Sequence, residues 1–403
     1  MTFQTDSLAA EYAGARTPIF RLAFRNAALT LLTLGIYRFW GKTRMRKYIW
    51  SSARLDGAPF EYTGNGLEKF LGFLIAIVFL AIYLGLFQMG LFYFGLSLFS
   101  TPETQAQALV QLAAFYVSAL AVVPFILFAI YRARRYRMGR TRWRGIRFGM
   151  EPGAWGYVWR AMGHWALTIL SLGLLLPRQT FWLEKYMTDR TWFGDARFEQ
   201  GGRWTQLYPA MKHLGIGIAL VLGGFGLFAL EMPFAGVSVL LIGAVWAVVG
   251  AVSYKVQSFG WLARHKRLDG DIAFEARPST GRVLGIYLVG GIVIGIGSAI
   301  AFALLGVVLG LGAGGLYDLD SLSGPQAGPP VWAVLGVILG YLAIMLAAGA
   351  AGFALVVQPV LAHYVSTLRV VNSAALARIH QRAADKGADA EGFADALDIG
   401  GAI

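Results

Sequence analysis

The stretch FLGFLIAIVFLAIYLGLFQMGLFYFGLSLFSTPETQAQALVQLAAFYVSALAVVPFILFAIY, Phe70–Tyr131, contains no lysine or arginine, and its reading sets the class of architecture. Its one charge is Glu103, beside Pro102. The apolar runs on either side, Phe70–Phe99 and Ala106–Tyr131, each exceed the ~20 residues a helix needs to cross a bilayer. The whole reads as two crossings joined at Ser100–Gln105.

Two further blocks behave in the same way. His213–Tyr254 and Val283–Leu368 also lack Lys and Arg, so all 35 basic residues fall in the four remaining stretches. The runs Leu214–Leu230, Phe234–Tyr254, Val283–Leu311 and Val331–Ala362 bring the expected spans to six, in three hairpins. Acids mark the three connections: Glu103, Glu231, and Asp318 with Asp320. Basic residues collect on the cytoplasmic side of bacterial-type membrane proteins. The pattern therefore predicts a bacterial inner-membrane protein with both termini in the cytoplasm.

Composition agrees. The chain has 403 residues, of which 57% are hydrophobic and only 14% charged, and a mean hydropathy of +0.58. A soluble domain carries ~25% charged residues. The net charge of +13 sits at span ends. Anionic lipid headgroups are its expected partners, and nucleic acid is not. With no cysteine at all, disulfides and thiolate chemistry are excluded.

A repeat is visible without gaps. Residues 29–64, LTLLTLGIYRFWGKTRMRKYIWSSARLDGAPFEYTG, align with 167–202, LTILSLGLLLPRQTFWLEKYMTDRTWFGDARFEQGG. Each copy ends in a turn between short alternating runs. The Asp56-Gly57 turn, followed by Phe60 and Glu61, returns as Asp269-Gly270, Phe274 and Glu275, and more weakly as Arg144-Gly145 and Phe148. Asp-Gly between alternating runs favours a β-hairpin, because a type I′ turn needs positive φ at both central residues. One isolated hairpin is marginal in water, which argues for pairing among them. The expected divisions are a tail at 1–20, a first unit at 21–131, a second at 132–254, a diverged third at 255–368 and a tail at 369–403.

The segments Leu22–Trp40 and Trp155–Leu176 have apolar cores too short for a comfortable crossing. They read as interfacial or re-entrant helices. Crossings at both would instead give eight spans and would put Arg16, Arg21 and Arg25 outside, against the charge rule.

Three stretches, NAALTLLTLG at 26–35, YRFWGKTRMRKY at 37–48 and RLDGAPFEYTG at 54–64, resemble the YjgN-like family of bacterial inner-membrane proteins. In the second copy Pro177 and Arg178 stand where the first has Phe39 and Trp40. The resemblance implies a polytopic inner-membrane protein, and it brings no activity and no catalytic residues, since the family is one of unknown function.

Residue patterns add little chemistry. The five histidines show no metal-ligand spacing, and no nucleophile–base pair stands out, so the reading expects no enzyme, no catalytic residues, no metal and no cofactor. Thr30 with Thr33, and Thr168 with Ser171, form two equivalent polar stripes. With Gln358, which precedes Pro359 in the last span, they are candidates for a solute path, or else their hydroxyls bond back to their own helices. Glu61, Glu199 and Glu275 recur in equivalent turns, as a cytoplasmic acidic ring or as structural partners of arginine. The glycine pairs 291/295, 306/310 and 336/340 fit close helix packing, inside the bundle or in a homo-oligomer.

The expected fold is an all-α polytopic bundle with six spans, two short interfacial or re-entrant helices and small cytoplasmic β-hairpins. The expected function is transport or permeation of a small solute; the alternative is a non-transporting scaffold or anionic-lipid-binding protein.

Overall fold

The computed structural model describes residues 6–96, 98, 101–314 and 331–383. The expected outer acids Asp318 and Asp320, and the end of the C-terminal tail, lie outside the described residues. The chain folds as five versions of one unit: a strand, a helical hairpin, and a second strand that pairs with the first. The first unit is β1 (Ser7–Tyr12), α1 (Arg16–Leu32), α2 (Arg38–Ser52) and β2 (Ala53–Leu55). The second is β3 (Ala58–Tyr62), α3 (Gly66–Tyr93), α4 (Gln105–Gly139) and β4 (Thr141–Trp143). The third is β5 (Ile146–Met150), α5 (Ala154–Leu170), α6 (Leu176–Thr188) and β6 (Thr191–Phe193). The fourth is β7 (Ala196–Gln200), α7 (Tyr208–Ala229), α8 (Pro233–Arg264) and β8 (Lys266–Leu268). The fifth is β9 (Ile272–Ala276), α9 (Thr280–Gly314), α10 (Val331–Gly352), a π turn (Phe353–Val357), α11 (Gln358–Ser366) and β10 (Leu368–Val371).

This overturns the all-α expectation. The strands close into a ten-stranded antiparallel barrel, each beside its neighbour in sequence, with β1 pairing β10. The physical reason is edge pairing. Four hairpins of three- and five-residue strands are each marginal alone, but side by side they use up one another's open edges. The last edge is covered by strands from opposite ends of the chain, which share no turn.

One register recurs in all five units. Facing inward, Ala10 pairs with Leu55, Phe60 with Trp143, Phe148 with Phe193, Phe198 with Leu268 and Phe274 with Val370. The next pair along points outward: Glu11 with Arg54, Glu61 with Arg142, Gly149 with Trp192, Glu199 with Arg267 and Glu275 with Arg369. Three of the four turns between units have the positive φ expected at both central residues. Asp56 and Gly57 lie at φ 52° and 70°, Arg144 and Gly145 at 49° and 80°, Asp269 and Gly270 at 53° and 72°. The bore is lined by the inward residues and is covered at the turn end by a 3₁₀ segment, Ser373–Arg378, which brings Ala375 and Leu376 against it.

Among the described residues, six helices are long and apolar enough to cross a membrane: Gly66–Tyr93, Gln105–Gly139, Trp204–Ala229, Pro233–Arg264, Thr280–Leu309 and Val331–Ser366. The other two helical hairpins are short. Leu22–Trp40 and Trp155–Leu176, expected as single helices, are each broken by a turn, at Thr33–Tyr37 and Ser171–Leu175. Arms of 17 residues reach ~25 Å, short of a hydrocarbon core of ~30 Å. Their tips are apolar and open, with Leu34 94% and Leu172 84% exposed. Since β1 pairs β2 and β5 pairs β6, each short hairpin leaves the barrel and returns to it on the same side.

Neighbouring units touch around the ring: α2 on α3, α4 on α5, α8 on α9 and α10 on α1. The tightest pair is α7 with α8. A Cβ added at Gly217, Gly224, Gly236, Gly243 or Gly250 would meet atoms of the facing helix.

Candidate functional site

α4, α6 and α8 each run directly into a strand of the barrel, at β4, β6 and β8. Their lower turns therefore gather above the barrel, where they border a cavity of about 910 Å³ that also reaches α7 and α9. One face of α8 forms its long wall, with Val248, Val252, Lys255 and Phe259 at helical spacing.

The floor is charged. Arg134 of α4 grips the Glu184 carboxylate of α6 with both terminal nitrogens, at 2.7 and 3.1 Å. Lys266, the first residue of β8, donates to the same carboxylate at 2.6 Å, and the Thr188 hydroxyl donates at 3.1 Å. The three charged side chains are only 23–24% exposed, so water screens them weakly. Burial alone would raise the Glu184 carboxyl. Arg134 and Lys266 outweigh it and hold the group well below the usual carboxylate range. Higher on the wall, the Tyr254 hydroxyl donates to Thr180 Oγ1 at 2.7 Å. The cavity thus has apolar sides and, counting Lys255, three cations against one carboxylate.

None of the residues singled out in the sequence lines this cavity. Thr30 and Thr168 donate to carbonyls one turn back, at Asn26 (2.7 Å) and His164 (2.9 Å). Thr33 donates to Leu29 O at 2.8 Å and accepts from the Tyr37 N–H at 2.9 Å. Ser171 donates to Thr168 O at 3.1 Å and accepts from the Leu175 N–H at 3.0 Å. The four hydroxyls brace two equivalent turns on two separate hairpins. Beside the second turn, the His164 ring stands 3.2 Å from Arg178, and burial, then that guanidinium, lower its pKa.

Gln358 is 3% exposed and begins α11 directly after the π turn, with Pro359 as its second residue. Among the described residues its Oε1 has no hydrogen-bond partner. Proline removes a helical N–H, and a π turn is one way a helix absorbs the loss. Glu61, Glu199 and Glu275 are spread over the outside of the barrel, each opposite an arginine. Sequence reasoning missed Glu184. The one signal was a reversal inside the repeat, where Glu184 aligns with Arg46.

Apolar helical hairpins mounted on a closed barrel define a multi-pass membrane protein. The chain belongs to the family described as bacterial protein of unknown function (DUF898), which it matches over residues 7–396. It is also 25% identical over 150 residues to a Salmonella typhimurium protein named Inner membrane protein YjgN. That stretch spans 36% of this chain and 33% of the relative, so the match covers about a third of the relative's length. No solved structure matches the chain.

Proposed function

We propose that this is an inner-membrane protein that binds an anionic lipid in the cavity above its barrel. One observation carries the reading: the cavity joins a largely apolar α8 wall, which also carries Lys255, to a floor where Arg134 and Lys266 meet the single carboxylate of Glu184. An acyl chain matches the wall, and a phosphate headgroup matches the excess positive charge. The Lys/Arg-free connections between spans favour a cytoplasmic barrel, since basic residues stay inside. The cavity floor then meets the inner leaflet, where anionic lipids give a negative surface. The reading assigns no catalytic step.

Native mass spectrometry of the purified chain tests this. Phosphatidylglycerol is expected to be retained over phosphatidylethanolamine, and Lys255→Gln is expected to weaken the preference. Equal retention of the two lipids, or an unchanged preference in the variant, removes the proposal.

A second reading, permeation of a small solute, is favoured by the five-unit arrangement, whose strands close around a bore. The bore is occupied by Phe60, Phe148, Phe198 and Phe274 and covered by Leu376, so permeation needs these to part. Solute efflux from proteoliposomes that exceeds protein-free controls supports this reading, and its absence across ionic and neutral solutes removes it.

A further inference from the structure

The recurring register contains one exception inside the bore. Four units put phenylalanine at the inward position of their first strand: Phe60, Phe148, Phe198 and Phe274. Their rings follow one another around the wall at centroid distances of 6.3, 6.4 and 5.8 Å. The first unit has Ala10 there, opposite Leu55. The inward partners Leu55, Trp143, Phe193, Leu268 and Val370 are all buried, whereas the four phenylalanines are only half-buried. A cavity of about 190 Å³ borders both Ala10 and the phenylalanine arc.

We propose that this vacancy is a binding site for one small, neutral aromatic ring, which takes the place of the missing fifth phenylalanine. Size and chemistry both fit. A dry apolar cavity of about 150 Å³ is enough to take benzene. Every side chain that lines this one is apolar except for the Trp143 indole N–H, which is already given to Ala58 O at 3.3 Å. A charged or hydrogen-bonding ligand would lose its water without gaining a partner. Stacked or tilted contact with Phe60 or Phe274 favours a ring over an alkyl group.

The route of entry narrows the ligand further. The turn end is covered by Leu376, and its strap is clasped across the barrel. His380 N–H donates to Asp195 Oδ1 at 2.9 Å, Asp195 N–H donates to His380 O at 2.9 Å, and Arg378 pairs with Asp271 at 2.7 Å. The other end is lined by Ala53, Val365 and Leu368, where helices enter the strands. The ligand therefore comes from the bilayer side and is lipid-soluble. This site shares no lining residue with the cavity above the barrel and does not depend on the lipid reading.

The test uses the full chain in nanodiscs, with toluene as the probe and the thermal unfolding midpoint as the readout. Toluene is expected to raise the midpoint saturably in the natural chain and in Ala10→Gly. In Ala10→Phe, where the protein supplies its own fifth ring, the rise is expected to disappear. Benzoate, of similar shape but charged, is expected to have no effect on the midpoint of any of the three. No toluene shift in the natural chain, or an equal shift in Ala10→Phe, overturns the proposal. If Ala10→Phe fails to fold, Ala10→Leu replaces it with the same two outcomes, and failure of both shows that the vacancy has no room for a ring.

Discussion

Glu184 is where one side chain matters most to the cavity. Its carboxylate is held by Arg134 and Lys266 from two other elements. Removing the charge leaves two cations facing each other with little water. Glu184→Gln is therefore expected to destabilise the protein by on the order of 3 kcal/mol, the usual cost of breaking a buried pair from one side. The pH dependence has a definite sign. Because the folded-state pKa is depressed, the carboxylate's contribution is complete above its ordinary value of 4.5 and drains away as pH falls below it. Unfolding midpoints measured from pH 7 down to the acid limit are expected to fall more steeply in the natural chain than in Glu184→Gln, and parallel curves would contradict this. The outward glutamates contrast with it. Glu61 faces Arg142 in the open, and such cross-strand pairs contribute roughly 0.2–1 kcal/mol. Chemical denaturation of Glu61→Gln is expected to show a loss within that range. The recurrence of these acids was legible in the sequence. Glu184 was not, because its partners lie 50 and 82 residues away.

Between elements, glycine spacing decides which helices touch. The short-range pairs 291/295, 306/310 and 336/340 are easily seen in the sequence. Of these, Gly336 and Gly340 pack on Leu309 and Leu305 of α9, while Gly291, Gly295 and Gly306 face open space. The closest helix pair uses a longer period: Gly217 and Gly224 on α7, and Gly236, Gly243 and Gly250 on α8, each seven apart. Seven residues return nearly to the same helix face, as three or four do, but the longer spacing is diluted among 51 glycines. A side chain at Gly243 would run into Leu220 and Val221, and one at Gly250 into Leu214. Gly243→Leu and Gly250→Leu are expected to force α7 and α8 apart and lower the thermal midpoint by several degrees, since overpacking costs about 1–3 kcal/mol. Gly291→Leu is expected to leave it nearly unchanged. Comparable losses in all three variants would show that the open face of α9 is packed in the membrane.

At the scale of the molecule, the long apolar runs were legible because a bilayer imposes a length, and the Asp-Gly turns because positive φ imposes a residue type. Closure of the barrel was not. It depends on β1 and β10, which no turn joins and which lie about 360 residues apart, where periodicity has nothing to report. Only the shared register, with Glu11 opposite Arg54 and Glu275 opposite Arg369, reveals them as the outer strands of the first and fifth units. Closure has a direct test because the chain has no cysteine. Ala9 and Arg369 are register partners across the seam, and paired strand positions lie about 4.5–5.5 Å apart at Cα, within the reach of a disulfide. In the double variant Ala9→Cys, Arg369→Cys, mild oxidation is expected to remove both free thiols within one chain, reversibly, as read by alkylation and intact mass. Ala9→Cys with Glu199→Cys, outward on β7 and not paired with β1, is expected to keep both thiols free. Were the seam thiols to stay free while the protein remained folded, or the control to cross-link as readily, β1 would not close the barrel. The five-unit arrangement would then reduce to four hairpins with open edges, and strands so short could not stay monomeric with those edges unpaired.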